Sequence, residues 1–124
     1  MNETSILLVD DDSIVNFISE KVLTKMGFSD FTAVTDGKQA LDSLKKEPCP
    51  TLVFLDINMP VMDGFSFLDR VVKENLCVHM NVVILTSSNR QNDKDQASQF
   101  SNVVDYVEKP LNQDKVRQVL KKVS

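Results

Sequence analysis

The stretch Leu52-Val-Phe-Leu-Asp-Ile-Asn-Met-Pro60 decides the fold. Leu52, Val53, Phe54 and Leu55 run without polar alternation, which is the pattern of a central parallel strand covered by helices on both faces. A charge does not belong inside such a strand. Asp56 therefore falls at its carboxyl end, where open α/β sheets gather ligands and catalytic groups, and Met59-Pro60 ends the strand and sets the loop.

Outward from that strand, apolar runs alternate with helical patterns along the whole chain, the mark of a doubly wound α/β sheet. Strands are predicted at Ile6–Val9, Phe31–Thr35, Leu52–Leu55, Val82–Leu85 and Val103–Val107. The second is short and polar, which suits an edge. The first helix, about Ser13 to Met26, carries Ile14, Ile18 and Val22 on one expected inward face, is capped by Asp12 or Ser13, and is closed by Gly27. Asp36-Gly37 opens a second helix with Ala40, Leu41 and Leu44 inward, and Asp63-Gly64 opens a third with Phe65, Leu68, Val71 and Val72 inward. Asn92–Phe100 has only Ala97 and Phe100 as apolar residues, so that helix should pack thinly. The last, about Asn112 to Val123, should bury Val116, Val119, Leu120 and Val123.

Composition narrows the function classes. The 124 residues suit one domain, 42% are hydrophobic and 26% charged, and no apolar stretch approaches a membrane span. Fourteen basic against eighteen acidic residues give a net charge of -4, which argues against a nucleic-acid surface and for a protein or small cationic partner. Met1–Ser5 shows no secretory signal, so a cytoplasmic location is expected. Cys49 and Cys77 lack metal-ligand spacing and are expected to be free thiols in a reducing compartment. His79, the single histidine, reads as a surface residue.

In a parallel sheet the strand ends open onto one edge, which gathers Asp10, Asp11, Asp56, Thr86 with Ser87, and Lys109. Three clustered carboxylates repel unless protons or a cation compensate them. A hard divalent cation such as Mg2+ fits oxygen donors, whereas zinc would want sulfur or imidazole. Lys109 and the Thr86 hydroxyl then complete a rim suited to a phosphoryl group, with Asp56 left as the nucleophile. Taken alone, Asp12 reads as a helix cap, Thr86 as a β-branched strand end, and Tyr106 equally as a half-buried structural residue.

These residues form an ordered set: Leu-Val-Asp-Asp-Asp (Leu8 to Asp12), Asp-Gly-x-x-Ala-Leu (Asp36 to Leu41), Asp-Ile-Asn-Met-Pro-Val-Met-Asp-Gly (Asp56 to Gly64), Leu-Thr-Ser (Leu85 to Ser87) and Tyr-Val-Glu-Lys-Pro (Tyr106 to Pro110). Over nearly its whole length the chain resembles the receiver domain of two-component response regulators, of the chemotaxis-type single-domain fold. The resemblance implies a flavodoxin-like five-stranded parallel sheet of order 2-1-3-4-5 with five helices, and one receiver domain over residues 1–124. It implies Asp56 as phosphoacceptor, Asp11 as a direct Mg2+ ligand, Asp10 as a mostly water-mediated one, and the Asn58 carbonyl as a further contact. Lys109 and Thr86 would hold the phosphoryl oxygens, Thr86 and Tyr106 would form the switch, and Lys109-Pro110 would be cis. Asn58 and Ser88, each two residues beyond a site residue, would tune the access of water to the phosphoryl.

The implied function is a phosphorelay switch. A sensor histidine kinase or histidine phosphotransfer protein loads Asp56, and the altered rim and fourth-helix surface change binding to a downstream protein. Such a domain catalyses only its own phosphorylation and dephosphorylation and is not a turnover enzyme. One rival on the same chemistry is an aspartate-nucleophile phosphohydrolase, which would want a second carboxylate where Asn58 stands and a substrate cap. A flavin-binding module would want a small-residue phosphate loop after the first strand, where three aspartates stand. Met1 and the end at Ser124 favour a stand-alone regulator over a piece of a hybrid kinase or transcription factor.

Overall fold

The computed structural model describes residues 4–46 and 48–123. Its elements are β1 (Ile6–Val9), α1 (Ser13–Lys25), β2 (Phe31–Val34), α2 (Gly37–Leu44), β3 (Leu52–Leu55), α3 (Gly64–Lys73), β4 (Asn81–Thr86), α4 (Gln91–Ala97), β5 (Val103–Glu108) and α5 (Gln113–Val123). The strands form one parallel sheet of order β2-β1-β3-β4-β5, as expected, with β2 on an edge.

Side-chain alternation along the buried strands divides the core in two. Leu7, Val9, Val53, Leu55, Val82 and Ile84 face α2, α3 and α4, meeting Ala40, Leu44, Phe67, Leu68 and Ala97. Ile6, Leu8, Leu52, Phe54, Val83 and Leu85 face α1 and α5, meeting Leu23, Val116 and Val119. Both faces of β3 are thus sealed, and its four residues are all buried, as its unbroken apolar run requires.

Asp12, Asp36 and Asp63 start α1, α2 and α3 by accepting hydrogen bonds from the amides of Ile14, Gln39 and Ser66 at 2.9, 2.8 and 2.8 Å. Gly27, at φ 94°, closes α1 in the left-handed region that glycine tolerates.

Four expectations fail. In α1 the inward residues are Asn16, Ser19 and Leu23, while Ile14 is 67% and Ile18 41% exposed and Val22 is only half-buried. The helix is rotated because its first turns meet the polar carboxyl ends of strands: Asn16 Nδ2 donates to the carbonyls of Asp10 (3.0 Å) and Val34 (3.3 Å). Val72 in α3 points outward, and in α5 only Val116 and Val119 are fully buried, with Leu120 and Val123 at the margin. Cys49 and Cys77 are not free thiols but form a disulfide with Cα atoms 5.6 Å apart. The β3–β4 register, Leu52 opposite Asn81, brings the segments that precede the two strands together. Among the described residues no helix is long and apolar enough to cross a membrane.

Candidate functional site

The carboxyl ends of β1, β3, β4 and β5 deliver Asp10, Asp56, Thr86 and Lys109 to one rim, beside the point where the strand order reverses between β1 and β3. Asp10, Asp56 and Thr86 are buried, and Asp11 is exposed at the mouth. One carboxylate oxygen from each of Asp10, Asp11 and Asp56 lies within 4.8 Å of the others.

Lys109 crosses this cluster. Its Nζ lies 2.7 Å from Asp10 Oδ2 and 3.2 Å from Asp56 Oδ2, compensating two carboxylates that burial would otherwise set against each other. Burial by itself would lower the lysine's pKa, but the short ion pair with Asp10 and the Asp56 charge outweigh it, and the ammonium is held above the ordinary lysine value. Asp10 moves the other way for a carboxylate: burial raises it, the lysine and the Asp12 amide only partly offset that, and the charge of Asp56 adds to the rise.

The remaining oxygens have main-chain partners or none. Asp10 Oδ1 accepts from the Asp12 amide at 2.9 Å and Asp56 Oδ1 from the Ile57 amide at 2.8 Å. Asp10 Oδ2, although paired in charge with Lys109, is buried without a well-directed hydrogen bond. Three acidic groups with oxygens within 4.8 Å of one another, and no imidazole or thiolate in the set, fit a hard oxygen-seeking cation such as Mg2+.

The loop after β3 is built to hold Asp56 in place. Gly64 donates its amide to the Ile57 carbonyl at 2.8 Å, and a Cβ there would fall on the Asp56 carbonyl oxygen. Met62 donates back to Pro60 at 2.7 Å around Val61, whose φ of 69° is a costly value for a β-branched residue. Asn58 is exposed in this loop. The Lys109-Pro110 bond is cis.

Thr86 sits at the root of the β4–α4 loop. Its carbonyl accepts from the Lys109 amide at 2.9 Å, and its hydroxyl accepts from the Ser88 amide at 3.3 Å. The Tyr106 hydroxyl donates to the Ser88 carbonyl at 3.0 Å.

Sequence reasoning missed Asp93, which is buried in α4 and accepts from Ser88 Oγ at 2.6 Å and from Arg90 Nε at 3.3 Å. Its spacing of four residues from the buried Ala97 was the available signal, masked by the polarity of the helix. Ser87, by contrast, is exposed, and His79 lies on the surface as expected.

Comparison with known proteins gives the same picture. Residues 6–121 match the model of the response regulator receiver domain family. Sporulation initiation phosphotransferase F of Bacillus subtilis (strain 168) is 37% identical, over 98% of this chain and 94% of its own length. Chemotaxis protein CheY of the same organism is 29% identical, over 94% of each chain. The chain spans about half (52%) of the probable C4-dicarboxylate response regulator DctR of B. subtilis, at 30% identity, so similar modules also occur within longer proteins. Among solved structures, a two-component response regulator from Cytophaga hutchinsonii superposes with a TM-score of 0.89, at 29% identity and covering 97% of this chain and 96% of that one. From its strand order, its acidic rim and its likeness to these proteins, the chain belongs to the response regulator receiver domain family.

Proposed function

We propose that this chain accepts a phosphoryl group on Asp56 from a phosphohistidine of a sensor histidine kinase or histidine phosphotransfer protein, in a Mg2+-dependent transfer. The observation that carries the reading is the trio of carboxylates at the meeting point of four strand ends, two of them, Asp10 and Asp56, bridged by Lys109. Asp56 alone of the trio terminates the central strand, and its loop is fixed from behind by Gly64.

An Asp56 oxygen attacks phosphorus, the phosphorus–nitrogen bond to the donor imidazole breaks, and the departing imidazole takes a proton from solvent. Asp10, Asp11 and Asp56, with the Asn58 carbonyl, would hold the cation, which would supply positive charge to neutralise the phosphoryl oxygens. Lys109 shares that task as a point charge that stays protonated across the physiological range, in keeping with its raised pKa. Thr86 offers a hydroxyl, and its movement toward the phosphoryl pulls on the loop that Ser88 and Tyr106 share.

The domain thus promotes its own phosphorylation and dephosphorylation without turning over a separate substrate, and works in the cytoplasm as one receiver module over residues 1–124. Beside the rim, Ile14, Phe17 and Ile18 expose an apolar strip on α1, which suits a protein partner rather than a nucleic acid. The downstream readout is the β4–α4 and β5 surface around Tyr106.

Incubation with a small phosphodonor such as acetyl phosphate and Mg2+ tests the reading by intact mass. The wild type should gain one phosphoryl group, and Asp56→Asn should gain none. Labelling that persists in Asp56→Asn would remove Asp56 from this role.

A further inference from the structure

We infer that Cys49–Cys77 is a reversible thiol–disulfide exchange site, entered through Cys49 by a small disulfide of the glutathione class. Its two sulfurs are unequal. Cys49 is exposed, whereas Cys77 is half-buried, packs against the core cluster beneath α2 and α3, and directs its Sγ at the Leu44 carbonyl, 3.6 Å away. An open cleft of about 410 Å3, lined by Cys49, Pro50, Asn75, Cys77, Val78 and His79, gives a small molecule a path to the bond.

The juxtaposition does not depend on the bond itself. Leu52 pairs with Asn81, the Asn81 amide donates to the Thr51 carbonyl at 3.0 Å, and the Met80 amide donates to the Cys77 carbonyl at 3.0 Å. These contacts hold the segments before β3 and β4 side by side, with the cysteine Cα atoms 5.6 Å apart, inside the range a disulfide spans. Reduction therefore leaves two thiols already positioned to close again, which distinguishes this pair from isolated cysteines of a reduced protein.

Oxidation then runs in two displacements. The Cys49 thiolate, its proton lost to solvent, attacks one sulfur of the small disulfide, forming a mixed disulfide and expelling one thiolate, which is protonated. The Cys77 thiolate attacks the Cys49 sulfur, forms the internal disulfide and expels the second thiolate. Two protein thiols and one small disulfide become one protein disulfide and two small thiols, and excess small thiol reverses the sequence. The closed bond joins the amino ends of β3 and β4, whose other ends carry Asp56 and Thr86, so it acts on the sheet from the edge opposite the rim. None of this rests on the phosphoryl chemistry.

The full chain, reduced and desalted, is equilibrated in buffers of graded oxidised to reduced glutathione, acid-quenched, alkylated and weighed. The wild type should pass from two alkylated thiols to none as the ratio rises, without lasting glutathione adduct, and return when reduced glutathione is restored. Reduced protein should melt lower by roughly 5 to 15 °C. Cys77→Ser should trap glutathione on Cys49, and Cys49→Ser should react at least tenfold more slowly than Cys77→Ser. Persistent double alkylation at high oxidised glutathione, accumulation of adducts or disulfide-linked dimers in the wild type, or equal rates in the two variants would overturn the inference. The wild-type titration decides the matter even where a variant folds poorly.

Discussion

The Tyr106 hydroxyl donates to the Ser88 carbonyl at 3.0 Å while the Ser88 hydroxyl donates to the buried Asp93 carboxylate at 2.6 Å, so one serine ties β5 to the first turn of α4. Lys94 covers the same ring, 5.8 Å from its centroid. The loop leading from Thr86 is thereby held at a defined place before any phosphoryl arrives, and a change at Thr86 has a definite contact to break.

Tyr106 is the single tyrosine, so its ionisation is read directly by absorbance. Burial raises its pKa above 10.0, and the Asp93 charge adds to the rise. A raised folded value means that the associated stability is present below the unfolded value and fades as pH climbs through the folded one. Asp93→Asn should lower the Tyr106 midpoint toward 10, and Tyr106→Phe should cost about 0.5–1.5 kcal/mol by orphaning a carbonyl. An unmoved midpoint in Asp93→Asn would show that the charge does not reach the ring.

Asp10→Asn should make the metal-free protein more stable at neutral pH. The native carboxyl has its pKa raised by burial, so it favours folding in its protonated form, below about 3.8, and that contribution is lost as pH rises through the raised value. An asparagine Oδ1 can still accept from the Asp12 amide. Chemical denaturation in chelator should show a gain in stability at pH 7 that closes in acid. A loss at pH 7 would mean that the Lys109 pairing outweighs burial.

Mg2+ should raise the melting temperature, and chelation should reverse the shift. A cation at a hundredfold excess over its dissociation constant stabilises by about 2.7 kcal/mol. Asp11 is exposed at the mouth, so Asp11→Asn should leave the metal-free protein within about 0.5 kcal/mol of wild type while abolishing most of the Mg2+ shift. Calorimetry with and without the cation separates the two effects.

Gly64→Ala should lower both stability and Asp56 labelling. The added methyl would meet the Asp56 carbonyl oxygen and the Ile57 Cα, both main-chain atoms with no rotamer to escape into. A cost of about 1–3 kcal/mol is expected in denaturant melts. An unchanged melt would mean that the loop can retreat without cost.

What the sequence made legible follows from the strength of each local signal. Unbroken apolar runs such as Leu52–Leu55 allow little but a buried parallel strand, and aspartates at helix starts cap them whatever surrounds them. The rim was legible because parallel strands bring their carboxyl ends to one edge regardless of loop detail. Helix α1 was misread because periodicity assigns the inward face to apolar residues, whereas Asn16 turns inward to satisfy two strand-end carbonyls. Asp93 was hidden for a related reason: its partners Ser88 and Arg90 lie in a loop whose path no periodicity describes. The cysteine pairing needed the β3–β4 register, which only the folded sheet supplies.

The way α1 is fastened has an evolutionary consequence. Asn16 anchors its amino-terminal half by hydrogen bonds and Leu23 its carboxyl-terminal half by burial, so Ile14, Phe17 and Ile18 contribute little to the core. Mutations can redraw that outward strip while the acidic rim a turn away is left as it was. A lineage of duplicated copies could diverge in what they touch without having to reinvent the chemistry they share.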